Sequence, residues 1–375
     1  MSNMLQKPND QPIHESIGRF DVVLETLRSG LSKGVQRLTV KWDECEASIL
    51  PTRGISIEHV IVDGFRFGWE SPILQPVHPM FVPISEPSGF GFLDGFNELL
   101  VRCGLTSNGA PEHDAQGQLV YPLHGRIGNL PASHLEIRQS SEGVLEVEAW
   151  IDEVRFHFDK WRLKTIYRFR IGESSIEIVD RVENLAGTTR DFQMLYHYNL
   201  GKPLLGKGAK IHAPLDRIVP RNNHSAAHID RWDEIEAPQA GSTEQVFFCR
   251  PRADKSNRSL AMLRNADSTA ATAIEFSLDE LPCFSLWKNT VAEADGYVIG
   301  LEPATNFPNP RSFEQQQGRT VALEPGDSAD FHVKLYFAVN AFKTEQLIAR
   351  CSELQRPTPV EFNTQPDPSW SQIVD

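Results

Sequence analysis

The stretch "WRLKTIYRFRI", from Trp161 to Ile171, decides the fold class of this chain. Every second position from Leu163 to Ile171 is apolar or aromatic apart from Thr165. The positions between them are Arg or Lys apart from Ile166. Because successive side chains of a strand point to opposite faces, this period of two predicts a β-strand with one face in a core and the other towards water.

The same alternation recurs along most of the chain. It is found in "RLTVKW" (37–42), "LEVEAWI" (145–151), "SIEIVDRVENL" (175–185), "AIEFSL" (273–278) and "FHVKLYFAV" (331–339). Half-buried strands with turns between them are typical of antiparallel sheets. Only "TEQLIARCSEL" (344–354) has apolar residues at helical spacing. The sequence therefore predicts an all-β protein, a large antiparallel β-sandwich with few helices.

The organisation along the chain predicts one large domain. No low-complexity linker and no internal repeat divide the strand-rich region. The ends are polar, and the C-terminal one is rich in proline. We therefore expect a flexible N-terminal tail over residues 1–15, a single β-sandwich domain over 16–354 and a polar C-terminal tail over 355–375.

Composition excludes some classes of partner. The 375 residues carry a net charge of −13, with Lys and Arg spread thinly, which disfavours nucleic acid and anionic membranes as partners. The five cysteines lie far apart without a CxxC pair, which predicts five free thiols and a cytoplasmic location. The N-terminus lacks the apolar core of a signal peptide, and no window is apolar for long enough to span a bilayer. The oligomeric state is left open.

One histidine stands in an unusual setting. The stretch "MLYHYNLGKPLL", from Met194 to Leu205, places His197 between two tyrosines in an apolar run. A histidine in such a strand must have its ring nitrogens hydrogen-bonded. From the stretch alone it is either a satisfied core residue or a site residue.

Several other stretches interrupt the alternation and place charged residues beside apolar ones and glycines. They are "LPTRGISI", "GFGFLDGFNELLVRCGL", "YPLHGRIGNLPAS", "LWKNT" and "IGLEPATNFPNPR". Buried charged side chains are costly unless they are paired. Their recurrence predicts that some of them meet at one site.

With these stretches in view, the sequence resembles the aldose 1-epimerase or galactose mutarotase superfamily. The resemblance rests on a histidine before glycine in "LHGRIG", a second histidine in "YHYNLG" and a glutamate ahead of Phe-Pro in "GLEPATNFP", in the family's order. The motifs "PTRG", "LLVRCGL", "LHGRIGNLPA", "LYHYNLGKPLL" and "GLEP" are most similar to the branch known as a domain of unknown function. The resemblance runs from about Gly18 to Val339.

The resemblance implies a large β-sandwich that opens the ring of an aldose and lets it reclose as the other anomer. By position, Glu302 matches the family's general base and His197 its general acid, and His124 assists at the ring oxygen or a neighbouring hydroxyl. No metal or cofactor is implied. We expect these three residues to line one groove, with room for a sugar ring between His197 and Glu302.

Other residues are candidates for holding the sugar, because they carry hydrogen-bond donors or acceptors beside these motifs. They are Arg53, Asn97, Arg102, Arg126, Asn199, Lys288 and Asn306. Arg53 has the alternative of pairing with a buried acid such as Glu98 or Glu302.

Three rival functions stay open. A non-catalytic carbohydrate-binding protein would keep the groove without needing the proton-transfer residues. A metal enzyme could use His212, His224 and His228, although no known metal-binding pattern surrounds them. An isomerase or lyase for an oxidised or phosphorylated sugar would use the same acid–base pair, with the anionic group held by a cation from the set Arg53, Arg102, Arg126 and Lys288.

Overall fold

The computed structural model describes residues 12–140, 143–356 and 358–372. Its strands are β1 Ile13–Ile17, β2 Phe20–Thr26, β3 Gln36–Trp42, β4 Cys45–Leu50, β5 Ser56–Val62, β6 Phe65–Phe67, β7 Leu100–Leu105, β8 Glu112–His113, β9 Leu119–Tyr121, β10 His134–Gln139, β11 Val144–Val154, β12 Lys160–Arg170, β13 Ser175–Asn184, β14 Arg190–Leu200, β15 Lys210–His212, β16 Leu215–Pro220, β17 Gln245–Pro251, β18 Arg258–Arg264, β19 Ala271–Ser277, β20 Cys283–Asn289, β21 Val298–Ala304, β22 Val321–Leu323, β23 Ser328–Ala338 and β24 Glu361–Phe362. The helices of these residues are α1 Asn223–Ala226, α2 Arg311–Gln316 and α3 Ala341–Gln355, besides short 3₁₀ turns. The predicted all-β class is confirmed.

Two large sheets form the body of the molecule. The larger has fourteen strands in the order β1-β2-β3-β4-β5-β7-β14-β21-β20-β17-β16-β24, with β6 beside β5 and β22 beside β14. The smaller has eight, in the order β10-β11-β12-β13-β23-β19-β18-β15, and β8 pairs with β9 alone. Neighbouring strands run antiparallel, as between β11 and β12, whereas β16 and β24 run parallel. This is the antiparallel sandwich that the alternation predicted.

Alternating side chains bring one face of each sheet into a shared core. In β12, Leu163, Tyr167 and Phe169 are fully buried, and the basic residues between them are partly exposed. Phe169 of the smaller sheet packs on Trp42 of the larger, with ring centroids 5.0 Å apart. Each such apolar side chain contributes roughly 1.5–3 kcal/mol to stability when it is fully buried. The core between the sheets is thus the main source of stability.

The middle of the larger sheet is buried on both of its faces. The strand β14 is buried without a break from Phe192 to Leu200, so its sequence carries no alternation. Tyr196 and Tyr198 belong to the core between the sheets. His197 and Asn199 therefore point to the opposite, outer face. Loops that carry a second cluster of buried aromatic residues cover this face.

Both ends of the chain contribute more to the fold than the sequence indicated. Residues 13–15, which were expected in a flexible tail, belong to β1, whereas residues 1–11 lie outside the described part. At the other end, α3 matches the predicted helix. Beyond it, β24 joins the larger sheet, and Trp370 is buried against Phe307 with ring centroids 4.8 Å apart. The described part of the predicted polar tail is therefore packed on the sheet.

The cysteines and helices settle two smaller questions. All five cysteines are buried free thiols, as predicted from their scattered positions. Among the described residues, no helix combines the length and the apolar character that crossing a membrane requires.

Candidate active site

The candidate site is formed where β14 and β21 lie side by side in the larger sheet. Tyr198 of β14 pairs with Leu301 of β21, and both side chains belong to the core between the sheets. His197 and Glu302 each lie one position away from this pair. Since neighbouring residues of a strand face opposite sides, both point to the outer face.

The two side chains are in direct contact. His197 Nε2 lies 3.3 Å from Glu302 Oε1, and the side chains are only 5% and 4% exposed. Gly300 allows this approach, because a Cβ at that position would lie 2.4 Å from Glu302 Oε1 and 3.1 Å from His197 Cε1. A larger residue at position 300 would push the pair apart.

His124 joins the pair from a loop. Its ring centroid lies 5.1 Å from that of His197 and 5.0 Å from that of Phe92. The backbone of His124 has a φ of 58°, in the left-handed region that non-glycine residues seldom adopt. Such conformations persist where the surroundings enforce them, and they cluster at functional sites. The three residues predicted to be catalytic thus lie together, although 178 positions of the chain separate His124 from Glu302.

The hydrogen bonds fix where each imidazole carries its proton. His197 Nδ1 lies 2.6 Å from Asn199 Oδ1, and Asn199 Nδ2 donates to the backbone oxygen of Glu98 at 2.9 Å. That second bond orients the amide, so its oxygen faces the histidine and must accept from Nδ1–H. His124 Nδ1 lies 3.0 Å from the backbone oxygen of Asn108, which is likewise only an acceptor. In the neutral ring of His197, Nε2 is therefore bare and faces Glu302.

Burial sets the charge of these groups. It raises the pKa of Glu302 to about 8, with the negative charge of Glu244 adding to the rise and Arg221 opposing it. Burial also lowers the pKa of His197 well below its ordinary value, with His124 adding to the effect, and it lowers the pKa of His124 to about 4. At neutral pH both histidines are uncharged and Glu302 keeps its proton. The His197–Glu302 pair thus holds one proton between its two facing atoms.

One feature of the expected geometry is wrong. A contact of 3.3 Å between His197 and Glu302 leaves no space for a sugar ring between them. The two atoms instead face each other on the outer side of the larger sheet.

Two of the predicted sugar-binding arginines are structural. Arg53 is fully buried and donates to Glu98 Oε1 from Nη2 at 2.6 Å and from Nε at 3.0 Å, which is the alternative that the sequence left open. Arg102 lies on the core side of β7, where it pairs with Asp180 of β13 at 2.5 and 3.0 Å. Both guanidinium groups are fully buried in ion pairs with carboxylates, which contradicts the prediction that these two residues contact the sugar.

The other two predicted cations also lie elsewhere. Lys288 is buried and donates to the backbone oxygen of Arg231 at 3.2 Å, and burial lowers its pKa to about 8. It alternates with Trp287, which lies on the outer face beside His197, so Lys288 faces away from the site. Burial raises the pKa of Glu153 of the smaller sheet, and the charge of the nearby Arg126 opposes this rise.

Two of the three predicted asparagines hold a histidine or are hydrogen-bonded to a residue that does. Asn199 holds His197, as described above. Asn306 exchanges two hydrogen bonds of 2.9 Å with Asn108, the residue whose backbone oxygen holds His124. Asn97 donates its backbone N–H to Glu98 Oε2 at 3.0 Å, and its Oδ1 is buried without a partner. Asn199 and Asn306 thus position the two histidines.

Sequence reasoning missed the residues that border the pair. Trp287 and Phe96 lie 5.5 and 5.2 Å from the His197 ring, measured between centroids. Trp287 Nε1 donates to Glu244 Oε2 at 2.7 Å, and Arg221 Nη2 donates to Glu244 Oε1 at 2.7 Å. Trp287 directly precedes the predicted Lys288 in "LWKNT". Only the face of the strand that points to the site could have decided between these two residues.

A metal centre has no support in the described part of the chain. There, no group of three or more His, Cys, Asp or Glu side chains is arranged to hold a metal ion. His224 and His228 are neighbours on and beside α1, with ring centroids 4.9 Å apart, and His212 lies on β15. Within the described residues, these three histidines are therefore not arranged as such a group.

Comparison with solved structures identifies the fold. A Klebsiella pneumoniae protein, provisionally described as an aldose 1-epimerase, superposes with a TM-score of 0.90 at 30% identity, over 95% of this chain and 94% of that one. A galactose mutarotase-like protein from Clostridium acetobutylicum has a TM-score of 0.58 at 14% identity, over 89% of this chain and all of that one. A protein from Escherichia coli K12, again provisionally an aldose 1-epimerase, has a TM-score of 0.51 at 14% identity, over 82% and 100%. The fold is that of the galactose mutarotase-like proteins.

A comparison with family models assigns the chain to one family within this fold. The profile of the family described as "Domain of unknown function (DUF4432)" matches residues 32–337, which is most of the chain. A search of curated proteins finds no significant match to this chain. The chain belongs to the DUF4432 family, a branch of the aldose 1-epimerase and galactose mutarotase superfamily.

Proposed function

We propose that the protein is an aldose 1-epimerase, which interconverts the anomers of an aldose by acid–base opening and closing of the ring. The observation that carries the proposal is the buried contact of 3.3 Å between His197 Nε2 and Glu302 Oε1. The reaction needs one group that takes a proton and another that gives one, close together and shielded from water. A cytoplasmic location of the protein is consistent with its five free thiols.

The geometry suits the two oxygens that exchange protons. In a cyclic aldose, the C1 hydroxyl and the ring oxygen are bonded to the same carbon, so two facing groups on one side of the ligand can reach both. With Glu302 as carboxylate and His197 as imidazolium, Glu302 takes the hydroxyl proton while His197 Nε2–H protonates the ring oxygen. The C1–ring-oxygen bond breaks and a carbonyl forms at C1.

This half-reaction leaves Glu302 protonated and His197 neutral. That is the arrangement which burial favours in the free protein. Rotation about the C1–C2 bond then presents the other face of the carbonyl, and closure reverses the two transfers. The pair holds one proton before and after the cycle, so the reaction needs no further acid or base. His124 borders His197 and contacts the ring oxygen or a neighbouring hydroxyl in this scheme.

The charges around the pair favour a neutral sugar over a sugar acid or phosphate. Of the four cations proposed to hold an anionic group, Arg53, Arg102 and Lys288 are buried in other interactions, whereas the Nε of Arg126 is buried without a partner. Arg221, which is close enough to influence Glu302, is paired with Glu244 at 2.7 Å. An anionic substituent would have to compete with that carboxylate.

The test measures anomer exchange directly. Saturation-transfer NMR on a panel of aldoses, sugar acids and sugar phosphates identifies the best substrate, and calorimetry gives its affinity. We expect Glu302→Gln and His197→Asn each to slow exchange by ~10² or more, with affinity kept within about tenfold, because the lost interaction belongs to the transition state.

Glu153→Gln is the matched control. Glu153 is another buried glutamate whose pKa is raised by burial, but it accepts from the backbone of Leu105 and does not contact the pair. We expect the Glu153→Gln variant to interconvert the anomers at the rate of the parent protein. If no sugar shows accelerated exchange, or if the Gln and Asn variants match the parent, the epimerase proposal fails and a carbohydrate-binding role without catalysis replaces it.

A further inference from the structure

Behind His197 lies a buried chain of polar groups that the proposed reaction does not touch. The imidazole Nδ1–H donates to Asn199 Oδ1 at 2.6 Å, and Asn199 Nδ2 donates to the backbone oxygen of Glu98 at 2.9 Å. Asn199 is fully buried. It therefore connects the histidine to the loop that ends at Glu98.

Arg53 anchors that loop. Its guanidinium donates to Glu98 Oε1 at 2.6 and 3.0 Å and to the backbone oxygen of Gly95 at 2.7 Å. The other carboxylate oxygen of Glu98 accepts the backbone N–H of Asn97 at 3.0 Å. Gly95 leaves room for the guanidinium, since a Cβ there would lie 2.6 Å from Arg53 Nη1. The backbone from Gly95 to Glu98 is thus held at both ends by one buried ion pair.

The position of this loop matters for the tautomer of His197. A neutral imidazole carries its proton on either nitrogen, and the partner of one nitrogen decides the state of the other. If Nδ1 lost its acceptor, Nε2 would be free to carry the proton and to donate to Glu302. Nε2 could then no longer receive the proton that the pair shares.

We infer that Arg53, Glu98 and Asn199 are positioning residues that hold His197 in the Nδ1–H tautomer with bare Nε2 directed at Glu302. The catalytic consequence rests on the proposed function. The tautomer itself does not, because it is measured in the protein without sugar.

The first experiment reads the tautomer by ¹⁵N NMR of histidine-labelled protein, in which protonated and bare ring nitrogens resonate far apart. The signals of His197 are assigned by their loss in His197→Gln. We expect the parent to carry its proton on Nδ1. Asn199→Leu removes the acceptor and should shift the proton to Nε2.

Asn184→Leu is the matched control for Asn199→Leu. Asn184 is also fully buried and also bonded to backbone groups, donating to the oxygens of Thr188 and Leu323, but it lies at the end of β13. The control should lower stability without changing the signals of His197. A shift in both variants would mean that general loosening moves the tautomer, which overturns the inference.

The second experiment compares two buried arginines. In Arg53→Lys the positive charge opposite Glu98 remains, but one ammonium group cannot reproduce the forked contacts to Glu98 and Gly95. Arg102→Lys makes the same change in the equally buried Arg102–Asp180 pair on the core side. Both should lower stability, and only Arg53→Lys should shift the His197 signals.

Activity provides the last measurement. With the best aldose, Asn199→Leu and Arg53→Lys should lower kcat at least about tenfold and change KM little, because a wrong tautomer impairs proton transfer and leaves binding intact. Unchanged His197 signals in these two variants overturn the inference even if the parent is an active epimerase. If the signals shift as expected while no sugar shows exchange, the tautomer assignment stands and only the proposed function fails.

Discussion

Replacing Glu302 by Gln should make the protein more stable, by an amount that grows with pH. Burial raises the pKa of Glu302 from its ordinary 4.5 to about 8. Between these values the native protein holds a proton that the unfolded chain releases, so the free energy of unfolding falls as pH rises. Each pH unit in this window lowers it by about 1.4 kcal/mol, and the loss approaches about 5 kcal/mol at pH 8.

Glutamine is uncharged at every pH and has nearly the same shape as glutamate. The free energy of unfolding of Glu302→Gln therefore lacks this pH-dependent decrease. Urea denaturation of both proteins at intervals from pH 5 to pH 9 gives the difference in the free energy of unfolding directly. The histidines titrate in both proteins, and their contributions largely cancel in the difference. We expect the difference to rise with pH up to about 8 and then to level off. A flat difference would show that Glu302 is ionised in the native protein, and the one-proton description of the pair would be refuted.

Three further outcomes follow from the same structure. The pH profile of kcat/KM for anomer exchange should fall above about pH 8, where Glu302 loses the shared proton, and should show no decline near the ordinary histidine pKa of 6.5, since burial holds the pKa of His197 well below it. Trp370→Ala should lower the free energy of unfolding in urea by about 3–5 kcal/mol, because the indole is buried against Phe307, and an unchanged midpoint would contradict this packing. A thiol assay should count five groups in denatured, unreduced protein and close to none in native protein, because all five cysteines are free and buried; a lower count after denaturation would mean a disulfide.

The fold was predictable because the signal for a half-buried strand is local. Alternation in "WRLKTIYRFRI" and "LEVEAWI" matches the burial of β12 and β11 residue by residue. The C-terminal segment was not predictable in this way. Its composition is polar, and the burial of Trp370 depends on an aromatic partner 63 positions earlier in the chain, Phe307.

The site was predictable only in part, because the deciding information is the face of the strand on which a side chain lies. In β14 every position from Phe192 to Leu200 is buried, so no alternation indicates which residues face outward. His197 and Glu302 were found through the motifs around them. Arg102 was misplaced because its inward direction follows from pairing opposite Tyr196, which the sequence does not record.

The burial of the pair explains why it holds one proton. In water, a glutamate is ionised at neutral pH and a histidine is partly protonated, so an exposed pair would change its proton count across the physiological range. On the covered outer face, burial raises the pKa of Glu302 and lowers that of His197. The neutral acid and the neutral base then face each other over a wide range of pH.

This arrangement lowers the stability of the folded protein. A buried glutamate with a raised pKa lowers stability at neutral pH, and the left-handed backbone of His124 adds local strain. Both lie on the central strands or on loops fixed by buried hydrogen bonds, where relaxation towards water would expose the apolar residues around them. The sandwich core offsets the cost without rearranging, so the pair stays in contact at 3.3 Å. A strand edge or a surface loop would let the same two side chains separate and ionise, which is why the pair lies at the centre of the larger sheet.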